Sequence, residues 1–408
     1  QLCLLRSCCS YYIVMKILDA SSVLDRILSR RYEMNITIAI LIIGTAGSFL
    51  QIGGTSWDIT SHIMQEPETF FTPSHTVLYT GVGLLTIAAG LSGVLLLRNN
   101  ELRKKSFVTA FKLLIIGSAV SLVAGPSDFL WHETFGVDGL LSPSHLALIT
   151  GMLINAVAVA VGLARITVHI SAPSKQRLIK LLMIPGFAAL WFTCTWYVYM
   201  FSLPFSNGEN FQFNLNPNIA AIIAIIVLPL LSSIIFVTAS KTIGRFGAAS
   251  AVAGLVLGVN VLANIIPTDG MITSSLPWYL IFAIIPAVAA DIILNNATIR
   301  SKIGVRESEL IAGAIISSTF YVFGYPMLTW AFAIPLDMQL GNLQGIEAVA
   351  MLTSNFLSTL PTVLAITLVP GALMGMVGAY LSSKKIAIPS SSSLTIRSYP
   401  HFLSQEER

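Results

Sequence analysis

Residues 36–62 have the sequence ITIAILIIGTAGSFLQIGGTSWDITSH, in which a long apolar run leads directly into Asp58 and His62. An α-helix needs roughly 20 predominantly apolar residues to cross the hydrocarbon core of a bilayer. The stretch therefore predicts a membrane-spanning helix that ends in a carboxylate and an imidazole.

The rest of the chain has the same apolar character. Of its 408 residues 55% are hydrophobic and only 10% are charged, and the mean hydropathy is +0.79. This composition excludes a soluble domain of this size. We predict an all-α fold, a polytopic transmembrane helix bundle with about ten spanning helices. The predicted spans begin near Asn35, Thr76, Phe107, Leu146, Arg177, Pro217, Phe246, Ser274, Leu310 and Leu360.

Charged residues alternate between the predicted loops. Lys104 and Lys105 follow the second predicted helix and Lys175 follows the fourth, whereas the loops after Asp58 and Asp128 contain no Lys or Arg. Basic residues accumulate in cytoplasmic loops. We therefore expect a multi-pass protein of the cell membrane with both termini cytoplasmic and the Asp/His loops facing outside. The net charge of +4 averages a basic inside and an acidic outside, and nothing in it indicates nucleic-acid binding.

Composition divides the chain into four regions. Residues 1–33 are expected to form a cytoplasmic N-terminal arm, which is not translated if synthesis starts at Met34, although Met15 is an alternative start. Residues 34–170 contain the Asp/His motifs on two helical hairpins. Residues 171–383 are predicted to be a second helical half, a scaffold or a degenerate repeat. Residues 384–408 have the composition of a disordered cytoplasmic tail.

One pattern of metal-binding residue types occurs twice. Asp-x3-His-x5-acid-x6-His appears first in residues 58–75 and again in residues 128–145, with every internal spacing kept. Imidazole and carboxylate groups at fixed spacing are typical of metal sites. The candidate ligands are Asp58, His62, Glu68 and His75 in the first copy, and Asp128, His132, Asp138 and His145 in the second.

Helix geometry can bring three of the four residues of each copy together. Asp and His four residues apart share a helical face, and Thr72 with Pro73 predicts a helix start that places His75 in the first turn. The same construction recurs at Ser142 and Pro143. We therefore predict one outward-facing metal site per hairpin, with Glu68 or Asp138 as a fourth ligand or as a group that orients the ligands.

The ligand types leave the metal open. Two histidines and one carboxylate suit non-haem iron, copper(II) and zinc. The chain has only four cysteines, three of them at positions 3, 8 and 9, so a structural zinc site built on paired thiolates is not indicated. Three protein ligands leave coordination positions for water or substrate, which permits catalysis.

The Asp-x3-His-x12-His spacing of Asp58, His62 and His75 resembles the metal-ligand signature of the C subunit of copper membrane monooxygenases, which oxidise methane or ammonia. That resemblance covers roughly residues 36–165 and implies copper ligation by these three residues, with other membrane subunits as partners. The family has a second cluster at the place that corresponds to Asp128, but with Asn instead of Asp. The run around Trp131 and His145 is also similar to uncharacterised multi-spanning prokaryotic membrane proteins.

Other functions are compatible with the same residues. A metal or solute transporter would use the acidic outer loops to gather cations, and a non-catalytic membrane scaffold would keep the Asp-His pairs as buried hydrogen bonds without metal. The sequence identifies no catalytic residue, and any catalysis would have to come from the metal sites.

Overall fold

A computed structural model describes residues 33–63, 66–67, 69–136, 141–202, 217–265, 284–319 and 345–385. Within these ranges the protein is helical and has no β-strand. Most of the predicted N-terminal arm and C-terminal tail lies outside them. The helices are α1 (Glu33–Ile63), α2 (Pro73–Arg98), α3 (Val108–Phe135), α4 (Pro143–Ile166), α5 (Pro173–Ser202), α6 (Pro217–Ile243), α7 (Ala248–Ile265), α8 (Ile284–Asn295), α9 (Ala297–Ile303), α10 (Val305–Thr319) and α11 (Gly345–Lys385).

Six helices, α1 to α6, are long and apolar enough to cross a membrane among the residues described. They indicate an integral membrane protein and begin within a few residues of the predicted starts. Four of them, α2, α4, α5 and α6, begin at a proline, which suits the first helical turn because it lacks an N–H. The prediction of ten spans is not confirmed: α7 and α8 are shorter apolar helices, and the expected start near Ser274 lies outside the described residues.

Glycine pairs hold the first four helices together as two close-packed hairpins. A Cβ placed on Gly81 of α2 would lie 2.7 Å from the Gly47 carbonyl oxygen of α1. The contact recurs in the second hairpin, where a Cβ on Gly151 of α4 would lie 3.1 Å from the Gly117 carbonyl oxygen of α3. Small residues at such crossings let membrane helices approach closely. The sequence repeat therefore extends from the Asp/His motif into the helix packing.

Charged groups gather at the end of the bundle opposite Asp58. Glu33, at the start of α1, pairs with Lys105 at 3.1 Å and accepts a hydrogen bond from Asn99 at 2.8 Å. Arg165 donates to the Ser106 carbonyl at 2.8 Å. We call this the basic end. It also contains His169, whose Nε2 lies 3.2 Å from Ser106 Oγ, so this histidine is remote from the Asp/His motifs.

The second half of the chain packs through buried polar contacts as well as apolar ones. Lys241 of α6 pairs with Glu309 of α10 at 2.9 Å, and Ser233 of α6 donates to the Gly375 carbonyl of α11 at 2.7 Å. Asp291 of α8 is fully buried and accepts a hydrogen bond from the Ser250 backbone N–H at 2.8 Å. This carboxylate thus sits at the N-terminus of α7, where the helix dipole stabilises negative charge.

Candidate metal centre

The first copy of the motif forms a compact triad at the junction of α1 and α2. Asp58 is buried near the end of α1, and His75 is buried in the first turn of α2. Asp58 Oδ1 lies 3.1 Å from His75 Nε2, and its Oδ2 lies 3.9 Å from His62 Nε2. The predicted convergence of these three side chains is confirmed. Thr72 occupies the expected N-cap position but makes no side-chain cap hydrogen bond.

Hydrogen bonds around the first triad fix the direction of its ligand atoms. Ser74 Oγ donates to Asp58 Oδ1 at 2.9 Å, and His75 Nδ1 lies 3.0 Å from the Thr69 carbonyl oxygen. Because a carbonyl oxygen only accepts, Nδ1 must carry the hydrogen. His75 Nε2 then faces the Asp58 carboxylate across 3.1 Å. Two acceptor atoms so close require either a shared hydrogen or a metal ion between them.

The second copy repeats the arrangement at the junction of α3 and α4. Asp128 Oδ1 lies 3.3 Å from His145 Nε2, and its Oδ2 lies 3.7 Å from His132 Nε2. His132 Nδ1 lies 3.3 Å from the Gly136 carbonyl oxygen, which again leaves Nε2 toward the carboxylate. Ser142 caps α4 by accepting the His145 backbone N–H at 3.1 Å, as the sequence predicted for this position.

The two copies are not separate sites, which differs from the prediction of one site per hairpin. The ring centroids of His62 and His132 are 5.1 Å apart, and those of His132 and His145 are 5.3 Å apart. Ligand atoms of these three histidines all lie within 4.8 Å of one another, as do those of Asp58, His62 and His75. His62 thus belongs to both groups. We call the six residues Asp58, His62, His75, Asp128, His132 and His145 the Asp/His cluster.

The donor set of the cluster fits a transition metal. Nitrogen and oxygen ligands about 2.1 Å from one ion lie roughly 3.0–3.4 Å from each other at octahedral or tetrahedral angles. Of the four Asp–His contacts, those to His75 and His145 at 3.1 and 3.3 Å fall in that range. Those to His62 and His132 at 3.9 and 3.7 Å lie beyond it. Glu68 and Asp138, predicted as fourth ligands or orienting groups, lie outside the described residues.

A cavity opens beside the cluster and contains residues that no motif predicted. Its volume is about 50 Å³, and its mouth is open. Trp196 and Met200 of α5 form part of its wall although they belong to no repeated spacing in the sequence. Its lining is mainly apolar and comprises Thr55, Asp58, Ile59, His62, His145, Leu148, Ile149, Met152, Trp196 and Met200.

Neighbouring helices and aromatic side chains support the ligands. Ser56, on the turn of α1 before Asp58, donates to Asn260 Oδ1 of α7 at 2.7 Å. Tyr79 stacks on the His75 ring with centroids 5.4 Å apart. Only its position four residues after His75 on the same helix could have identified Tyr79 from the sequence.

Comparison with protein-family models, with curated proteins and with solved structures finds no match to this chain.

Proposed function

We propose that this membrane protein binds one or two transition-metal ions at the Asp/His cluster. The convergence of six ligand-type side chains from four helices carries the proposal. His62 is the centre of the arrangement because it contributes to both groups of ligand atoms. A scaffold without metal would need a single proton at each Asp–His contact, but it would not need three imidazoles from two hairpins to meet.

Copper is the metal that we expect, with iron and zinc as alternatives. Four imidazoles and two carboxylates suit all three metals, and copper(II) binds most strongly to nitrogen and oxygen ligands among the divalent first-row ions. No cysteine belongs to either group of ligand atoms found among the described residues. The ligand types thus favour copper over a structural zinc site.

The cavity supports an oxidase-like or monooxygenase-like role for the centre. A copper or iron ion bound there would supply redox chemistry. The chain itself would hold the histidines in one orientation through the Thr69 and Gly136 carbonyls, and it would present a small apolar molecule to the open side of His62 and His145. We propose that the centre faces the outside of the cell membrane, within the bilayer, and that other membrane subunits complete the activity.

Metal analysis of purified protein tests the proposal. We expect about one or two copper ions per chain in the parent protein, with a copper(II) electron paramagnetic resonance signal. Because His62 serves both groups, the His62→Ala substitution alone is expected to remove most of the metal and the signal. The matched control is His169→Ala, which removes a histidine at the basic end of the same bundle and should leave both unchanged.

Two outcomes would contradict the proposal. Equal, negligible metal in all three proteins after reconstitution with copper, iron and zinc would exclude a metal centre. Metal that is retained in His62→Ala and lost in His169→Ala would place the metal site at the basic end and not at the Asp/His cluster. Uptake of metal into liposomes, compared for the parent and His62→Ala, would separate a transporter from an enzyme subunit.

A further inference from the structure

Polar side chains line one face of α1 from the Asp/His cluster into the membrane interior. Ser48, Gln51 and Thr55 precede Asp58 by ten, seven and three residues. Residues separated by three or four positions share a helical face, so these side chains form one stripe. Gln51 lies about 10 Å along the helix from Asp58, at 1.5 Å per residue.

Two residues of this stripe bury polar atoms that remain unpaired within the described part of the chain. Gln51 is 1% exposed and Ser48 is 2% exposed. Neither polar atom of the Gln51 amide, nor the Ser48 hydroxyl, has a hydrogen-bond partner among the described residues. Serine and threonine in membrane helices commonly donate to the carbonyl four residues earlier, as Ser92 does to Ala88 at 2.8 Å. Ser48 does not follow that pattern.

The second hairpin shows what satisfies the equivalent positions. There the Ser118 hydroxyl donates to the Leu85 carbonyl oxygen of α2 at 3.1 Å, with Asn155 Oδ1 3.4 Å away. Asn155 Nδ2 donates to Ser121 Oγ at 3.4 Å. Ser118 and Ser121 correspond to Ser48 and Gln51 of the first hairpin in the alignment of the two repeat copies. Asn155 therefore closes a polar network between α3 and α4.

The first hairpin has Leu85 at the position that corresponds to Asn155. The packing is the same: a Cβ on Gly47 would lie 2.8 Å from Leu85 Cγ, and a Cβ on Gly117 would lie 2.9 Å from Asn155 Cγ. A leucine side chain cannot form a hydrogen bond with an amide. Gln51 thus keeps a polar side chain at the position of Ser121 without the amide that pairs with it in the second hairpin.

An unsatisfied amide in a membrane interior is costly, because neither lipid nor apolar side chains can bond to it. Buried water is the usual partner of such groups in proteins. Thr55, one helical turn from Gln51, lines the cavity beside the cluster, and that cavity is open at its mouth. Thr55 donates to Met152 Sδ at 3.4 Å, and both residues line the cavity.

We propose that Gln51 and Ser48 form a water-binding site in the membrane interior, continuous with the cavity through Thr55. Water at this site bonds to the Gln51 amide and to the Ser48 hydroxyl. It extends the hydrogen-bonded surroundings of the Asp/His cluster inward by about 10 Å, the length of the helix between Asp58 and Gln51. The site does not require a metal in the cluster.

Side-chain amide resonances of the full-length protein test the site directly. The protein is labelled with ¹⁵N-glutamine and placed in lipid nanodiscs, and the Gln51 signal is identified by its loss in Gln51→Leu. We expect magnetisation exchange between water and this amide at least about tenfold faster than for a dry buried amide. In Leu85→Asn, the introduced amide should form a hydrogen bond with the Gln51 side chain and slow its exchange with water.

Thermal stability provides a second measurement if the Gln51 signal is not resolved. In a dry site, Gln51→Leu would remove an unsatisfied amide and raise Tm. In a hydrated site it removes hydrogen bonds to water, and Tm should stay unchanged or fall. The matched control is Ser92→Ala, which removes a buried hydroxyl that bonds within its own helix. Absence of water exchange at Gln51, or a raised Tm in Gln51→Leu, would overturn the proposal.

The site and the metal centre can fail independently. Water exchange at Gln51 in a protein that binds no metal would retain the water site and remove the proposed function. Copper bound at the cluster, together with a Gln51 amide that does not exchange with water, would retain the proposed function and exclude the water site.

Discussion

Ser74 and Ser144 occupy equivalent positions in the two copies of the repeat, yet they make different contacts. Ser74 Oγ donates to Asp58 at 2.9 Å, whereas Ser144 Oγ lies 3.1 Å from Ser142 Oγ. Groups that orient metal ligands usually change metal affinity when they are removed. The metal affinity of the two halves of the cluster is therefore expected to depend on Ser74 and Ser144 to different degrees.

The comparison between these two serines gives a residue-scale prediction. Ser74→Ala should weaken metal binding by about tenfold because Asp58 loses a donor that fixes its carboxylate. Ser144→Ala should change the affinity much less. Titration against a chelator of known affinity measures both. Equal losses in the two variants would show that the serine contacts do not position the ligands.

At the scale of the helices, the hairpins place the ligands because α1 and α2 approach closely. Gly81 permits that approach: a Cβ on it would lie 2.8 Å from the Gln51 backbone nitrogen. Backbone atoms cannot move aside as a flexible side chain can. Gly83, two residues further along α2, has open space around it and provides a matched comparison.

Substituting the two glycines should separate packing from helix propensity. Gly81→Ala is expected to destabilise the protein by about 1–3 kcal/mol, because the hairpin must open to accommodate the methyl group. Gly83→Ala should be neutral or slightly stabilising, since alanine favours helix. Unfolding in mixed detergent micelles measures the free energies. A Gly81→Ala variant as stable as Gly83→Ala would contradict the close contact.

For the whole molecule, sequence alone located most helix starts and the residues of each triad. Apolar length, proline at helix starts and the Asp-x3-His spacing are local signals, and local geometry determines what they predict. The sequence could not show that His62 lies against His132, because that contact depends on how the two hairpins pack against each other. Trp196 reaches the cavity from α5 for the same reason. Non-local packing leaves no periodic pattern in one sequence.

Orientation in the membrane is the remaining whole-molecule question, and the charge pattern predicts it. Phe71 is 75% exposed beside the Asp/His cluster, and Glu101 is exposed at the basic end. Because basic loops stay in the cytoplasm, a thiol at position 71 should be outside and one at position 101 inside. The test uses Phe71→Cys and Glu101→Cys in a background without native cysteines.

A membrane-impermeant maleimide applied to intact cells should label Phe71→Cys, while Glu101→Cys should react only after the cells are lysed. The background protein serves as the control and should remain unlabelled in both conditions. The reverse pattern would place the Asp/His cluster in the cytoplasm, where reduced thiols and chelators compete for copper. It would then favour iron or zinc at the cluster, because the high affinity of copper for nitrogen and oxygen ligands selects copper only where such competitors are absent.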